Sequence, residues 1–165
     1  MNSLFQDEFG MIWVGTKDGL LRYDGNNYVT FRHKADDTTS LYNNNVKQVT
    51  GDHNGHLFII SNSSLSCYDI RKEQFHVLAY KGIKDITCSK GNVFAATVNE
   101  ILSVSDDSLL TYYKLPSDNM GSIICIMEDD QSRLLIGTDA NLYSLDNNKK
   151  ITTLLNNVHI QGLYV

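Results

Sequence analysis

The residues of this chain that could support chemistry are few and widely spaced. His53 and His56 flank a turn, so both rings could face one metal ion, but a lone pair falls short of four zinc ligands and solvent exposure is the simpler interpretation. The aspartate doublets lack the alternating oxygens and closing glutamate of a calcium loop, and turn formation accounts for them: Asp36-Asp37, Asp106-Asp107 and Asp129-Asp130. No phosphate-binding glycine loop, nucleophile elbow or HExxH motif is present. We therefore predict no catalytic residue, no metal and no cofactor.

The cysteines give no clearer chemistry. Cys67, Cys88 and Cys125 are 21 and 37 residues apart, so they form no CxxC pair that would indicate a thiolate zinc site. Their odd number also gives no disulfide framework. Burial as small apolar side chains is the prediction for all three.

Composition indicates many tight turns between short strands. The 165 residues carry 14 Lys and Arg against 19 Asp and Glu, a formal net charge of −5 that disfavours nucleic-acid binding. The longest apolar run, residues 123–127, is far too short to span a membrane. Asp outnumbers Glu fifteen to four, and sixteen Asn stand against five Ala. Because Asp and Asn favour turns whereas Ala and Glu favour helices, the composition predicts an all-β domain.

Internal repetition is the strongest signal in the sequence. Four stretches align without a gap: Gly10–Asp24, Gly55–Asp69, Gly91–Ser105 and Ser132–Asp146. Apolar residues alternate within each copy, and the first copy predicts strands at Met11–Thr16, Leu20–Tyr23 and Tyr28–Arg32. Repeats of about 40 residues with four strands each are typical of β-propeller blades.

We therefore predict an all-β propeller domain over residues 1–165. The expected blades are residues 1–45, 46–82, 83–121 and 122–157, with the first strand of a fifth at 158–165. A cut blade exposes a strand edge, which favours part of a larger propeller over a self-closed ring of four. The framework positions are assigned structural roles in blade packing and turns: Gly10, Trp13, Gly15, Thr16, Gly19, Tyr23, Gly55, Phe58, Gly91, Phe94, Gly137 and Thr138.

The first copy resembles a known repeat. It reads Gln6-Asp7-x-x-Gly10-x-Ile12-Trp13-Val14-Gly15-Thr16-x-Asp18-Gly19-Leu20, with Arg22-Tyr23-Asp24-Gly25 after it. This pattern is similar to the two-component regulator propeller repeat, and the segment from Phe31 to Asn44 resembles the linker that follows such a repeat. The later copies keep the framework positions but differ from the pattern at many residues. The second copy, for example, lacks the Trp and the Gly-Thr pair.

The resemblance implies the periplasmic sensor of a hybrid two-component regulator, best known from gut Bacteroidetes that detect complex glycans. A carbohydrate ligand, further blades of the same sensor and a second sensor chain are the implied partners, and the histidine kinase lies outside this chain. We expect the chain to be an N-terminal piece of such a sensor. Residues 1–7 lack the basic and apolar regions of a signal peptide, so a secretion signal would lie upstream or have been removed.

Two alternatives remain open. The first is a propeller scaffold for protein–protein contact without a small ligand. The second is a propeller enzyme such as a polysaccharide lyase, which needs converging acid and base groups. The four arginines stand at non-equivalent repeat positions, which disfavours a lyase.

Ligand contacts of a sensor are expected in the turns between the second and third strands of each blade. In a propeller these turns share a face with the segments that link blades. Their polar side chains could hydrogen-bond sugar hydroxyls: Lys17, Asp18, Asn62, Asn99, Asp139 and Asn141. The alternative is that they are ordinary hairpin residues.

Overall fold

A computed structural model describes residues 1–79 and 82–163 of the chain. Within these residues, sixteen β-strands form four antiparallel sheets of four strands, and each sheet follows chain order. One 3-10 turn, Asp118–Met120, precedes the fourth sheet. The all-β prediction is confirmed.

The strands alternate with short turns. The first sheet contains β1 (Ser3–Gln6), β2 (Ile12–Thr16), β3 (Gly19–Tyr23) and β4 (Tyr28–Phe31). The second contains β5 (Val46–Gly51), β6 (His56–Ser61), β7 (Ser64–Asp69) and β8 (Gln74–Ala79). The third contains β9 (Asp85–Ser89), β10 (Asn92–Ala96), β11 (Glu100–Val104) and β12 (Leu109–Lys114). The fourth contains β13 (Ile123–Glu128), β14 (Leu134–Thr138), β15 (Asn141–Leu145) and β16 (Ile151–Asn156).

The chain forms two compact units. The first consists of Met1–Gly82 with Ser105–Ser108, and the second of Ile83–Val104 with Leu109–Val165. The first and second sheets therefore belong to one unit, and the third and fourth sheets to the other. That all residues form a single propeller domain stays a prediction.

The core of the first unit lies between its two sheets. Alternation along β2 turns Trp13 towards the second sheet, where it is fully buried. Its ring lies 5.5 Å from Tyr68 and 5.7 Å from Phe31 between centroids. Such aromatic pairs contribute about 0.5–1.5 kcal/mol each beyond area burial. Aliphatic side chains complete the cluster: Leu20, Leu41, Val46, Val49, Leu57 and Ile59.

The core of the second unit is mainly aliphatic. Leu134 and Ile136 of β14 pack with Ile101 of β11 and Ile123 of β13. Phe94, at the repeat position of Trp13, is only partly buried at the edge of this cluster. The second unit therefore has a less bulky core than the first.

Two glycines permit close packing of neighbouring segments. A Cβ at Gly15 would lie 2.8 Å from the Val46 side chain, and one at Gly137 would lie 2.6 Å from the Ile160 side chain. Both distances are below normal contact, so only glycine fits there without a shift of the neighbour.

Residues 158–163 form no strand but pack beside the fourth sheet. The amides of Val158 and Ile160 donate to the carbonyls of Ala140 and Thr138. Residues 164 and 165, the end of the fifth-blade segment, lie outside the described residues. The first strand of a fifth blade stays a prediction.

Candidate functional site

In three of the four sheets, the turn between the first and second strands is capped by an aspartate carboxylate. Asp7 Oδ1 accepts hydrogen bonds from the amides of Phe9 and Met11, at 3.0 and 2.9 Å. Asp52 and Asp129 accept amides two and four residues ahead in the same way. Each carboxylate thus holds its turn in one conformation, which is the Asx chemistry that makes aspartate common in this chain.

The second carboxylate oxygen of these aspartates has a different partner in each sheet. Trp13 Nε1 donates to Asp7 Oδ2 at 2.7 Å, and Arg133 Nε donates to Asp129 Oδ2 at 2.8 Å. His56 Nδ1 lies 2.8 Å from Asp52 Oδ2. Burial raises the pKa of Asp129, but its hydrogen bonds with Arg133 outweigh this effect and hold the pKa below its ordinary value.

This arrangement accounts for the His53 and His56 pair. The His56 ring contacts Asp52, whereas the His53 ring lies 5.7 Å from the Phe5 ring between centroids. Among the described residues, no group of three or more His, Cys, Asp or Glu side chains is placed to hold a metal ion.

In three of the four sheets an aspartate also caps the turn between the third and fourth strands. Asp24, Asp69 and Asp146 each accept two amides from the two to four residues that follow. Hydrogen bonds from Lys72, first through its side chain and then through its amide, lower the pKa of Asp69 to about 2.

The predicted ligand residues lie in turns at the opposite end of the strands. A threonine closes three of these turns. The donors are the Oγ1 atoms of Thr16, Thr97 and Thr138, and the acceptors are the carbonyls of Gly19, Glu100 and Asn141. In the first unit these turns adjoin the linker between the sheets, because the amides of Gly19 and Asn62 donate to the carbonyls of Asn44 and Asn45.

Within the second unit the same relation holds. The Ile123 amide donates to the Val98 carbonyl, and the Leu115 amide donates to the Asn99 carbonyl. Asp139 Oδ1 accepts the Ser122 amide at 2.8 Å. Each unit therefore brings its own turns and linker together at one end of its sheets.

Half of the predicted ligand side chains already have intramolecular partners. Arg32 Nη2 donates to Asp18 Oδ2 at 2.6 Å, which lowers the pKa of Asp18. Asn141 Nδ2 donates to the Tyr143 hydroxyl at 2.7 Å, and Asp139 Oδ1 accepts the Ser122 amide. Exposed side chains complete the set: Lys17, Asn62 and Asn99. Ligand binding by these six residues stays a prediction.

A cleft beside the linker of the first unit was not predicted from the sequence. It has a volume of about 270 Å³ and is lined by residues of the linker and of β8, among them His33, Lys34, Tyr42 and His76. The linker is held by its own hydrogen bonds, such as those from the Lys34 amide to Ser40 Oγ and from the Thr39 amide to Asp37 Oδ1. The sequence identified this segment only through its resemblance to a family linker.

The three cysteines form no disulfide in the part of the chain that the structure describes; Cys67 and Cys125 are buried as predicted, whereas Cys88 is only partly buried. Burial, together with nearby carboxylates, raises the pKa of Cys67 to about 12, and burial raises that of Cys125 to about 11. A thiol with such a pKa is a poor nucleophile at neutral pH.

No family model matches the chain. A curated relative, histidine kinase P4 of Formosa agariphila, is 44% identical over 36 residues, which are 22% of this chain and 3% of that protein. None of the helical structure in residues 1–79 and 82–163 is long and apolar enough to cross a membrane.

The fold is similar to solved β-propeller structures. The extracellular domain of a hybrid two-component system from B. thetaiotaomicron matches with a TM-score of 0.74 and 22% identity, over 94% of this chain and 25% of that chain. A streptogramin B lyase matches with a TM-score of 0.70 and 15% identity, over 92% of this chain and 53% of that one. The chain thus spans a quarter of the extracellular domain that it resembles.

These likenesses confirm the propeller fold with four four-stranded blades. They also confirm the expected resemblance, because structural neighbours are extracellular domains of hybrid two-component systems. At these identities the likeness defines the fold and not the activity.

Proposed function

We propose that these blades are part of the extracytoplasmic sensor of a hybrid two-component signalling protein, which detects a glycan and signals to a histidine kinase outside this chain. The observation that supports this proposal is a coincidence of two independent likenesses. The amino-acid sequence of the first repeat resembles the two-component regulator propeller repeat, and the fold is similar to extracellular domains of hybrid two-component systems. A periplasmic location follows from the same proposal.

The scaffold suits such a role because its turns are rigid. The turns at both ends of the sheets are fixed by capping hydrogen bonds, which aspartate carboxylates accept at one end and threonine hydroxyls donate at the other. A rigid scaffold with polar turns binds a ligand without a large loss of conformational entropy. In the proposed sensor, further blades and a second sensor chain complete the assembly, and the ligand shifts the equilibrium between two arrangements of the chains.

A thermal melt of the chain with a panel of host and plant oligosaccharides tests the proposal. A saccharide that binds the native state must raise the melting temperature in a concentration-dependent way. A cooperative melt that no oligosaccharide changes would contradict the proposal for these blades.

A scaffold for protein–protein contact is the second candidate, and exposed apolar side chains on the outer strands favour it. Tyr28 of β4 and Leu110 of β12 are each 70% exposed, and Leu154 and Leu155 of β16 are about half exposed. In contrast, a lyase is disfavoured because three of the four arginines pair with carboxylates: Arg22 with Glu73, Arg32 with Asp18, and Arg133 with Asp129.

A further inference from the structure

A second cleft lies between the third and fourth sheets of the second unit. Its volume is about 200 Å³, and its floor is formed by the buried side chains of Leu134 and Leu145. The rings of Phe94 and Tyr112 form one wall, with centroids 5.0 Å apart. Polar side chains form the rim: Asn92, Glu128, Ser132 and Asn147.

In the first unit the corresponding place is filled by large side chains. Trp13 pairs across the strands with Arg22, whose guanidinium carbon lies 5.8 Å from the centre of the Trp13 ring. Tyr68, opposite Leu57 in the second sheet, packs against the same indole. These three side chains occupy the space between the two sheets of that unit.

In the second unit each of these positions carries a smaller residue. Phe94 takes the place of Trp13, and Ser103 is its cross-strand partner where the first sheet has an arginine. Leu145, opposite Leu134, takes the place of Tyr68. The cleft therefore opens where the repeat departs from its own framework.

The rim of the cleft is held by capped turns. Ser132 belongs to the turn that Asp129 fixes through two amides, and Asn147 belongs to the turn that Asp146 fixes in the same way. These side chains therefore project from ordered backbone, and little entropy is lost when a ligand binds to them.

The chemistry of the lining is that of sugar recognition. The aromatic wall can pack against the apolar C–H face of a pyranose, while amide and carboxylate groups bond to its hydroxyls. In the part of the chain that the structure describes, no Lys or Arg forms an ion pair with Glu128, so its oxygens are available as acceptors. Lys90 bonds to Ser132 Oγ at 2.8 Å, and Lys149 lies 4.9 Å from the centre of the Tyr112 ring. Both lysines lie outside the lining, where Glu128 is the only charged side chain among the described residues, so an acidic sugar in the cleft would meet a carboxylate directly and a neutral ligand is favoured.

We propose that this cleft binds one neutral sugar residue. The proposal rests on the glycan-sensing function above and gives it a location, at the end of the sheets opposite to the turns that hold Asn99, Asp139 and Asn141. The volume suits a single ring rather than a ligand of drug size.

Methyl and amide NMR of the full chain tests the proposal, with D-glucose, D-galactose, D-mannose and D-xylose as probes and D-glucuronate as the acidic comparator. At least one neutral sugar should shift the Leu134 and Leu145 methyl signals and the Asn147 side-chain amide. D-glucuronate should bind more weakly, by about tenfold, because of the Glu128 carboxylate.

Variants separate the cleft from the rest of the surface. Leu145→Tyr places in the fourth sheet the residue that the second sheet has at this position, so it should fold and abolish the shifts of the Leu134 methyl groups and of the Asn147 side-chain amide. Glu128→Gln should weaken binding by about tenfold through loss of a charged acceptor. Asn147→Ala should also weaken binding, whereas Asn148→Ala, on the same turn but outside the cleft lining, should not.

The outcomes distinguish this proposal from the proposed function. Sugar-induced shifts confined to the turns of Asn99 and Asp139 would overturn the cleft and leave the sensor proposal standing. An absence of shifts anywhere in the chain with every sugar, in a protein whose melting no oligosaccharide changes, would overturn both the cleft and the glycan sensor. An absence of cleft shifts with every sugar at millimolar concentrations would overturn the cleft whatever the melting result.

Discussion

Removal of the Asp7 carboxylate should destabilise the first unit by about 3 kcal/mol, as estimated from its hydrogen bonds. Asp7 is only 5% exposed, and its carboxylate accepts two backbone amides and the indole N–H of Trp13. In Asp7→Ala the amide of Phe9, an exposed residue, can turn to water, but the indole N–H stays in a fully buried ring without an acceptor. An unsatisfied buried donor costs about 1–3 kcal/mol, and the lost caps add to this.

A double-mutant cycle with Trp13→Phe isolates the indole bond. Because phenylalanine has no N–H, Asp7→Ala should cost about 1–2 kcal/mol less in the Trp13→Phe background than in the native chain. The free energy of unfolding of the native chain, the two single variants and the double variant is measured by urea unfolding. Far-UV circular dichroism follows the transition, because Trp13→Phe removes the single tryptophan that fluorescence would need. Asp130→Ala, which removes an exposed carboxylate outside the caps, is the control and should change stability by less than about 0.5 kcal/mol. Coupling below about 0.5 kcal/mol would refute the argument that this bond is a substantial part of the cap.

The remaining predictions concern packing, pH and thiol reactivity. Gly15→Ala should lower the free energy of unfolding by about 1–3 kcal/mol in urea titrations, because its Cβ would overlap the neighbouring valine; an unchanged midpoint would contradict this. The pKa of Asp69 lies at about 2 against an ordinary 3.8, so its contribution to stability is complete above about pH 4 and is lost as the pH falls towards 2. Asp69→Asn should therefore reduce the slope of stability against pH in that range, and an equal slope would refute the lowered pKa of Asp69. Cys67 and Cys125 should react with thiol reagents only as fast as the chain unfolds, and rapid labelling of the native protein would show that they are accessible.

The blade framework could be predicted from sequence because its determinants are local. Alternating apolar residues set the faces of each strand, and β2, β3 and β4 lie within one residue of the predicted bounds. The burial of Trp13 follows from the same alternation. The partners of the capping aspartates are local too: Trp13, His56 and Arg133 lie four to six residues after their aspartates. The aspartate-rich composition indicated turns but not this shared geometry, because a different chemical group completes it in each sheet.

The cleft of the second unit could not be predicted in this way. It depends on the sizes of Phe94, Ser103 and Leu145, which belong to two different sheets, and no single repeat carries the signal. An alignment of the repeats treats Trp13 and Phe94 as equivalent aromatic residues. Only the packing of the two sheets shows that their difference in size leaves a space.

The capped turns explain how a repeat with smaller side chains on its sheet faces can still fold. They also provide a test of the sugar-binding cleft. The bonds that hold the Asp129 turn lie almost entirely within the turn itself, so smaller residues on the sheet faces leave the turn intact. Asp129 does not line the cleft, but it fixes the turn that carries Ser132. Asp129→Ala should therefore weaken sugar binding by about fivefold, because the turn must be ordered on binding at a cost near 1 kcal/mol. Asp130→Ala, at the next residue, should leave the affinity unchanged. Equal affinities for both variants in the methyl titration would show that the turn orders the rim without this carboxylate.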